Sequence, residues 1–250
     1  MSQQLVTDSQ IKAAVTALRK FLDQNSKKSD LFADDASPIH LIISLQSPIG
    51  PKRNKPKCIS VPHAIYPDST SVCLVVRDPQ RTWKDKVSEE DVTCVKRVIG
   101  VDKLRRKYKP FEARRELMKQ YDVFMADEAV LPILPKLLGK NFFVAKRLPL
   151  PLPLKATKPV KKIIEDAAFH SAWWSYGGGD SVAVRIAYSS QEVAEIVSNV
   201  QAVVTAMHGI CEEAKILSIG LKTTDSLLLP LWEAGDDEPE ETSHKKRRTA

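Results

Sequence analysis

The run SVCLVVR, Ser71 to Arg77, offers no polar face until its last residue. A β-branched stretch without alternation predicts a strand covered on both sides, as in a parallel sheet clothed by helices. Downstream, Ser88 and Asp91 have capping-box spacing and predict a helix reaching Gly100, while Pro110 fits the first turn of a second helix, FEARRELMKQ. YDVFMAD is then another strand, followed by a helix containing Pro132 and Pro135 and closed by Gly139 as its C-cap. Strand, helix, helix, strand, helix is a small Rossmann-like layout.

The flanks have a different character. Ser9 to Gln24 predicts a helix, with Ile11, Val15, Leu18 and Leu22 at helical spacing and Thr7 or Asp8 as N-cap. HLIISLQ (His40 to Gln46) and CISVP read as strands, separated by the basic loop Ser47 to Lys57, whose three prolines oppose regular structure. Arg147 to Pro159, alternating proline with leucine, reads as an extended connector. A helix over 160–168 follows, then SAWWSY and SVAVRIAYS as a hairpin around Gly177, Gly178 and Gly179. Ser189 and Glu192 suggest a capping box for a helix carrying Val193, Ile196, Val197, Val200, Val203, Val204 and Met207 on one stripe, and AKILSIGLKTT closes as a strand. A helix and two strands at the N-terminus cannot bury a sheet alone, and the C-terminal elements complement them. Packing economy therefore predicts a split α+β domain of 1–68 plus 157–232, an inserted α/β domain of 69–156, and a charged tail, 233–250. The crossings near Asp68 and Ala156 would act as a hinge.

Composition narrows the function. The 250 residues are 43% hydrophobic, enough for a sizeable core. Cys58, Cys73, Cys94 and Cys211 lack metal or redox spacing and predict buried thiols in a reducing compartment. The N-terminus resembles no secretory signal, and no apolar stretch approaches the ~20 residues that span a bilayer, so the expectation is a soluble intracellular protein with no membrane partner. Net charge is +7, and the segment from Ser69 to Ala156 holds 19 Lys and Arg against 11 Asp and Glu. Such concentration points to an anionic partner, nucleic acid foremost.

Catalytic motifs are weak by comparison. The glycines at 177–179 lie between strands and not before a helix, and Gly139-Lys140 lacks the remainder of a phosphate loop. Ser60 and His63 lack an orienting acid, and His63 reads as a packed or hydrogen-bonded turn residue. His40, His63, His170, His208 and His244 lack metal-ligand spacing. Asp127 and Glu128 read as first-turn acids favoured by the next helix dipole. The expectation is therefore no enzyme, cofactor, metal or small-molecule substrate. KRNKPK (Lys52 to Lys57) and DKLRRKYKPFEARR (Asp102 to Arg115), which interleaves bases with Tyr108 and Phe111, favour phosphate contacts instead. KKRR, Lys245, Lys246, Arg247 and Arg248, has the form of a nuclear import signal.

Three stretches carry a family resemblance. HLIISLQSPIGPKRNKPKCISVPHAIYP is similar to the strand, basic loop and V-x-L-P-H strand of the universal ribosomal protein L-one (L1) family. YDVFMADEAVLPILPKLLGKNFF resembles that family's D-x-x-x-A…P…L-G segment, and the C-terminal hairpin, long helix and ILSIGLKTTDS resemble its closing elements. The resemblance, over roughly Val6 to Leu231, implies a two-domain α/β (α+β) fold: a split α+β domain with an inserted Rossmann-like three-layer domain. It implies that Tyr121 to Phe143 supports a binding surface, with Asp122 and the prolines shaping the helix start and its bend. It also implies an RNA face at Lys222, Thr223, Thr224 and Ser226, with Gly178 and Gly179 at the hairpin tip and Lys52, Arg53, Lys55 and Lys57 adding phosphate contacts. Where the ribosomal protein has proline and a Gly-rich loop after L-G, this chain has Lys140-Asn141-Phe142-Phe143. Where it has threonine-threonine-methionine-glycine, this chain has Thr223-Thr224-Asp225-Ser226. These departures and the acidic-then-basic tail resemble eukaryotic nucleolar assembly factors carrying the domain. The implied role is pre-rRNA binding in pre-ribosomes, most closely the small-subunit processome, beside ribosomal proteins and other assembly factors. A stalk ribosomal protein and a protein-interaction adaptor are the alternatives.

Overall fold

The computed structural model describes residues 6–26, 37–48, 53–67, 69–145, 147–154, 159–176, 179–211, 215–224 and 226–234. Before the parallel sheet run α1 (Asp8–Ser26), β1 (Pro38–Leu45) and β2 (Arg53–Ser60). Then come β3 (Val72–Val76), α2 (Gln80–Glu89), β4 (Val95–Gly100), α3 (Val101–Lys107), α4 (Phe111–Gln120) and β5 (Val123–Asp127). Two short helices, α5 (Leu134–Leu138) and α6 (Lys140–Val144), lead to β6 (Leu150–Leu152). The chain closes with α7 (Val160–Phe169), β7 (Ser171–Tyr176), β8 (Ser181–Tyr188), α8 (Val193–Ile210), β9 (Ile216–Lys222) and β10 (Leu229–Glu233).

Both ends of the chain share one antiparallel sheet. β1 lies between β8 and β9 in the order β10-β9-β1-β8, so an N-terminal strand is held on both edges by C-terminal ones. β1 alternates strictly: Ile39, Leu41, Ile43 and Leu45 are buried, and the intervening residues are half-exposed. The buried set packs with Ile11, Val15 and Leu18 of α1 and with the predicted stripe of α8. By length and composition α8 is apolar enough to cross a membrane, contrary to the sequence expectation, but it spends that stripe on this core. At the start of α1, the Thr7 N–H donates to Gln10 Oε1 at 3.2 Å, half of a capping box.

The middle of the chain forms a parallel sheet, β4-β3-β5-β6, with β3 and β5 buried throughout as their unbroken apolar runs require. Alternate residues feed two cores. Val72, Leu74 and Met125 pack towards α2 and α7, and Cys73, Val75 and Phe124 towards α3 to α6.

Several local expectations are overturned. The helix expected from Ser88 to Gly100 does not form: α2, Gln80–Glu89, ends where it would begin, Asp91 has φ 48°, and VKRVIG becomes β4, where its branched side chains suit a sheet. Pro110 is the N-cap of α4 and lies before its first turn. The proline-leucine connector contributes β6, an edge strand, where missing N–H groups are tolerated. The basic loop begins β2 at Arg53, with the register irregularity between Arg53 and Lys57 accommodating Pro56. β7 and β8 are not one hairpin ladder: β7 pairs with β2 and β8 with β1. Ser189 does not cap α8; its Oγ accepts from Ser37 N–H at 3.1 Å, and Glu192 occupies the N-cap without a side-chain bond. Asp127 and Glu128 lie ahead of α5, which begins only at Leu134; the Asp127 carboxylate accepts from Ala129 N–H at 3.3 Å and its carbonyl from Val130 and Leu131 N–H at 2.9 and 3.3 Å, opening a turn before that helix. Asp122 ties β5 to the start of β3 by accepting from the Ser71 N–H and hydroxyl at 2.9 and 2.7 Å, and does not shape a helix start.

One helix packs on the other side of the expected division. α7, assigned from sequence to the antiparallel body, buries Val160, Ile164, Ala167 and Ala168 in the core under the parallel sheet. The Glu90 carboxylate, after α2, accepts the Lys161 N–H at 2.6 Å. Asp68 and Ala156, the expected hinge points, lie outside the described residues.

Candidate nucleic-acid interface

Among the described residues, α1 and α8 pack on one face of the antiparallel sheet and no helix packs on the other. The alternation that buries Leu41, Val184 and Leu221 turns Ile42, Ser44, Ala183, Ser218 and Gly220 to this other side. Register places Arg185 opposite His40, and His40 opposite Lys222, so one cross-strand row carries a guanidinium, an imidazole and an ammonium over β8, β1 and β9. Arg185 is held in place. Its Nη1 donates to Tyr66 Oη at 3.1 Å and to Tyr188 Oη at 3.5 Å, and the guanidinium lies 5.6 and 5.8 Å from the two ring centroids. Burial pushes the Tyr188 hydroxyl above the usual tyrosine range, opposed by the Arg185 charge, so the phenol stays neutral and able to hydrogen-bond. A cleft of about 500 Å³ opens beside the row, lined by His40, Tyr66, Arg185 and Trp173 on one side and Asp122 and Arg147 on the other.

The sequence-predicted site residues do not form one patch. Lys222 ends β9 half-exposed in this row, and Thr224 is exposed just beyond it. Thr223 is 0% exposed: its N–H donates to Ser226 Oγ at 2.9 Å, and its own hydroxyl is buried without a partner. Thr223 and Ser226 thus hold the turn, and Thr224 is its accessible threonine. Gly179 lies at the opposite end of the sheet, beside Asp180, whose carbonyl accepts from Leu45 N–H at 2.7 Å. His40 and Leu45 mark the two ends, separated by roughly 17 Å of strand. Lys57 is exposed, with its ammonium 5.5 Å from the buried Trp174 ring. Arg53 and Lys55 are described by backbone alone, in β2; Lys52, Gly178 and the Lys245–Arg248 import signal lie outside the described residues.

His40 and Arg185 were missed from sequence. Each sits alone among apolar neighbours, and only the pairing of β1 with two distant strands places them beside Lys222. The row is chemically suited to phosphate oxygens, and the exposed Ala183 beside it leaves room for a sugar–phosphate backbone, whereas Gly220 is buried under Leu228, whose side chain a Cβ there would meet at 2.8 Å.

The model of the Ribosomal protein L1p/L10e family matches residues 16–227. The chain belongs to that family. Among its L1-family relatives, a Schizosaccharomyces pombe protein named as a putative ribosome biogenesis protein is 34% identical over 220 residues, covering 84% of this chain and 59% of the relative. The Saccharomyces cerevisiae ribosome biogenesis protein UTP30 is 26% identical over 248 residues, 88% of this chain and 89% of the relative. The mouse ribosomal L1 domain-containing protein 1 is 25% identical over 235 residues, 89% of this chain and 51% of the relative. The chain thus spans little more than half the length of the fission-yeast and mouse proteins.

Proposed function

We propose that this L1-family chain is a non-catalytic ribosome-biogenesis factor that binds pre-ribosomal RNA in the nucleolus. Its neighbours there are ribosomal proteins and other assembly factors, and its setting is the small-subunit processome. The biogenesis role is supported by the names of its relatives. The RNA contact rests on one observation, the Arg185–His40–Lys222 row on a helix-free sheet face. The cationic Arg185 and Lys222, with the His40 imidazole between them and serine and alanine beside them, suit recognition of folded RNA by shape and backbone, with base edges secondary. The non-catalytic reading is consistent with three of the four thiols: burial pushes Cys73, Cys94 and Cys211 upward, which makes them poor nucleophiles, whereas Cys58, expected to be buried, is exposed.

Titration of a folded pre-rRNA fragment across salt concentrations tests this reading. Affinity is expected to fall steeply with salt, and Lys222→Ala to reduce the logarithmic slope by about one phosphate contact. Thr224→Trp, at an exposed position, is expected to weaken binding without unfolding the protein. A flat salt response with both variants unchanged would identify a protein adaptor instead. Sedimentation with translating polysomes would favour a stalk ribosomal protein.

A further inference from the structure

We propose that the α3–α4 corner, on the parallel sheet, is a second RNA-contact platform that stacks one unpaired base on Phe111 and binds its flanking phosphates through Lys107, Lys109 and Arg115. This rests on the RNA-binding reading above and adds a site on different elements from the Arg185–His40–Lys222 row. The corner lies on the α3-to-α6 side of the parallel sheet, opposite the side covered by α2 and α7.

The two aromatics interleaved with bases in this stretch part ways in the structure. Tyr108 is 5% exposed and packs with Leu104 and Leu117, whereas Phe111 is 73% exposed in the first turn of α4. Burying a phenylalanine is worth a few kcal/mol, so an aromatic ring left this open in a well-packed layer is a candidate contact. The ring also has a fixed companion. The Arg114 guanidinium lies 5.5 Å from its centroid, and Arg114 Nε donates to Tyr108 O at 2.9 Å. Arg114 passes Gly139 so closely that a Cβ there would lie 2.8 Å from Nη1. The result is half of a stacking sandwich, built before any ligand arrives.

The charge around it is unspent. From Asp102 to Lys119 the sequence has eight Lys and Arg against three acids. Lys107, Lys109 and Arg115 are exposed, and among the described residues neither they nor Arg105 and Arg106 form an ion pair. Exposed cations around a guanidinium-backed ring match the general chemistry of single-stranded nucleic-acid contacts, where bases stack on aromatics and phosphates meet lysine and arginine. An acidic peptide would satisfy the charges but leave the ring without a planar partner.

The test uses the full chain and a single-stranded RNA nonamer carrying one 2-aminopurine, whose fluorescence falls on stacking. Wild type should quench the probe. Phe111→Ala should abolish the quench and weaken binding about tenfold, Phe111→Tyr should restore both, and Thr224→Trp should leave the quench intact. Circular dichroism should be unchanged for Phe111→Ala, because the ring is outside the core. If Phe111→Ala quenches and binds like wild type while Thr224→Trp weakens folded pre-rRNA binding, the platform is refuted and the first site survives. If wild type binds neither RNA, both readings fall. Displacement of the probe by polyglutamate with no quench at any stage would refute the platform and assign the corner to an acidic protein partner.

Discussion

Gly139 holds φ 75° and ψ −178°, a backbone conformation available in practice to glycine alone, where α5 ends and α6 begins. Any side chain would be strained there and would also meet Arg114. Gly139→Ala should lower unfolding free energy by about 1–3 kcal/mol, seen as a lower urea midpoint with an unchanged slope. Cys73 supplies a different residue-scale signature. Burial pushes its thiol from 9.0 up to about 12, opposed by the charge of Arg97. Between those values the unfolded chain releases a proton that the folded chain keeps. Its contribution to stability is therefore complete below about pH 9 and is lost as pH rises towards 12, by at most ~1.4 kcal/mol per pH unit. Cys73→Ala should make the alkaline loss shallower without removing it, since Cys94, Cys211, Tyr108 and Tyr188 are shifted in the same direction. Urea midpoints measured at about pH 8 and about pH 10 check this.

Among elements, α8 ties distant segments together with polar bonds. Asn199, 0% exposed on its apolar stripe, accepts the His63 N–H at 3.0 Å and donates to His63 O and Ile186 O at 3.2 and 3.1 Å. His63 is thus the hydrogen-bonded turn residue its sequence setting suggests. Asn199→Leu would keep the volume but strand the groups at His63, costing about 1–3 kcal/mol in a urea titration. A substitution costing under a few tenths would show that water replaces the amide. Elements whose periodicity matches their burial were legible in the sequence: α1, β1, β3, β5, α4 and α8. Those lost were decided by partners. VKRVIG sets an adjacent charged pair between aliphatics, a pattern that permits helix or strand until β3 pairs with it. RNKPK and LPL look like loops because proline opposes a ladder interior, yet both lie where an edge or a bulge excuses the missing donor. The site divided in the same way. Lys222 and Thr224 could be carried over along the chain, whereas Arg185 and His40 join them through a register no local pattern encodes, and Gly179 leaves for the opposite end.

The whole molecule is stitched across its four-stranded antiparallel and parallel sheets, with the β2-β7 pair between them in sequence, more tightly than a pair of bodies joined by two crossings. Tyr66 packs against both the antiparallel core and the core under α2 and α7. Trp173 projects from β7 towards the parallel layer, whereas its neighbours Ala172 and Trp174 enter the antiparallel core. The Trp173 indole N–H donates to Ala167 O at 2.8 Å, and the N–H groups of Val61 and Ile65 donate to His170 O and Phe169 O at 3.0 and 2.8 Å at the end of α7. Because α7 belongs to the parallel layer by packing and to β7 by these bonds, neither sheet can lose its order without exposing part of the other. Urea unfolding should therefore be a single transition, with tryptophan fluorescence and far-UV circular dichroism coinciding. Trp173→Ala removes both the shared packing and the indole bond. It should cost about 3 kcal/mol and separate the two probes, as the antiparallel and parallel layers begin to unfold independently. Two resolved transitions in the wild-type protein would instead mean that the contacts around α7 are too weak to couple the sheets, and that the molecule opens between them in its native state.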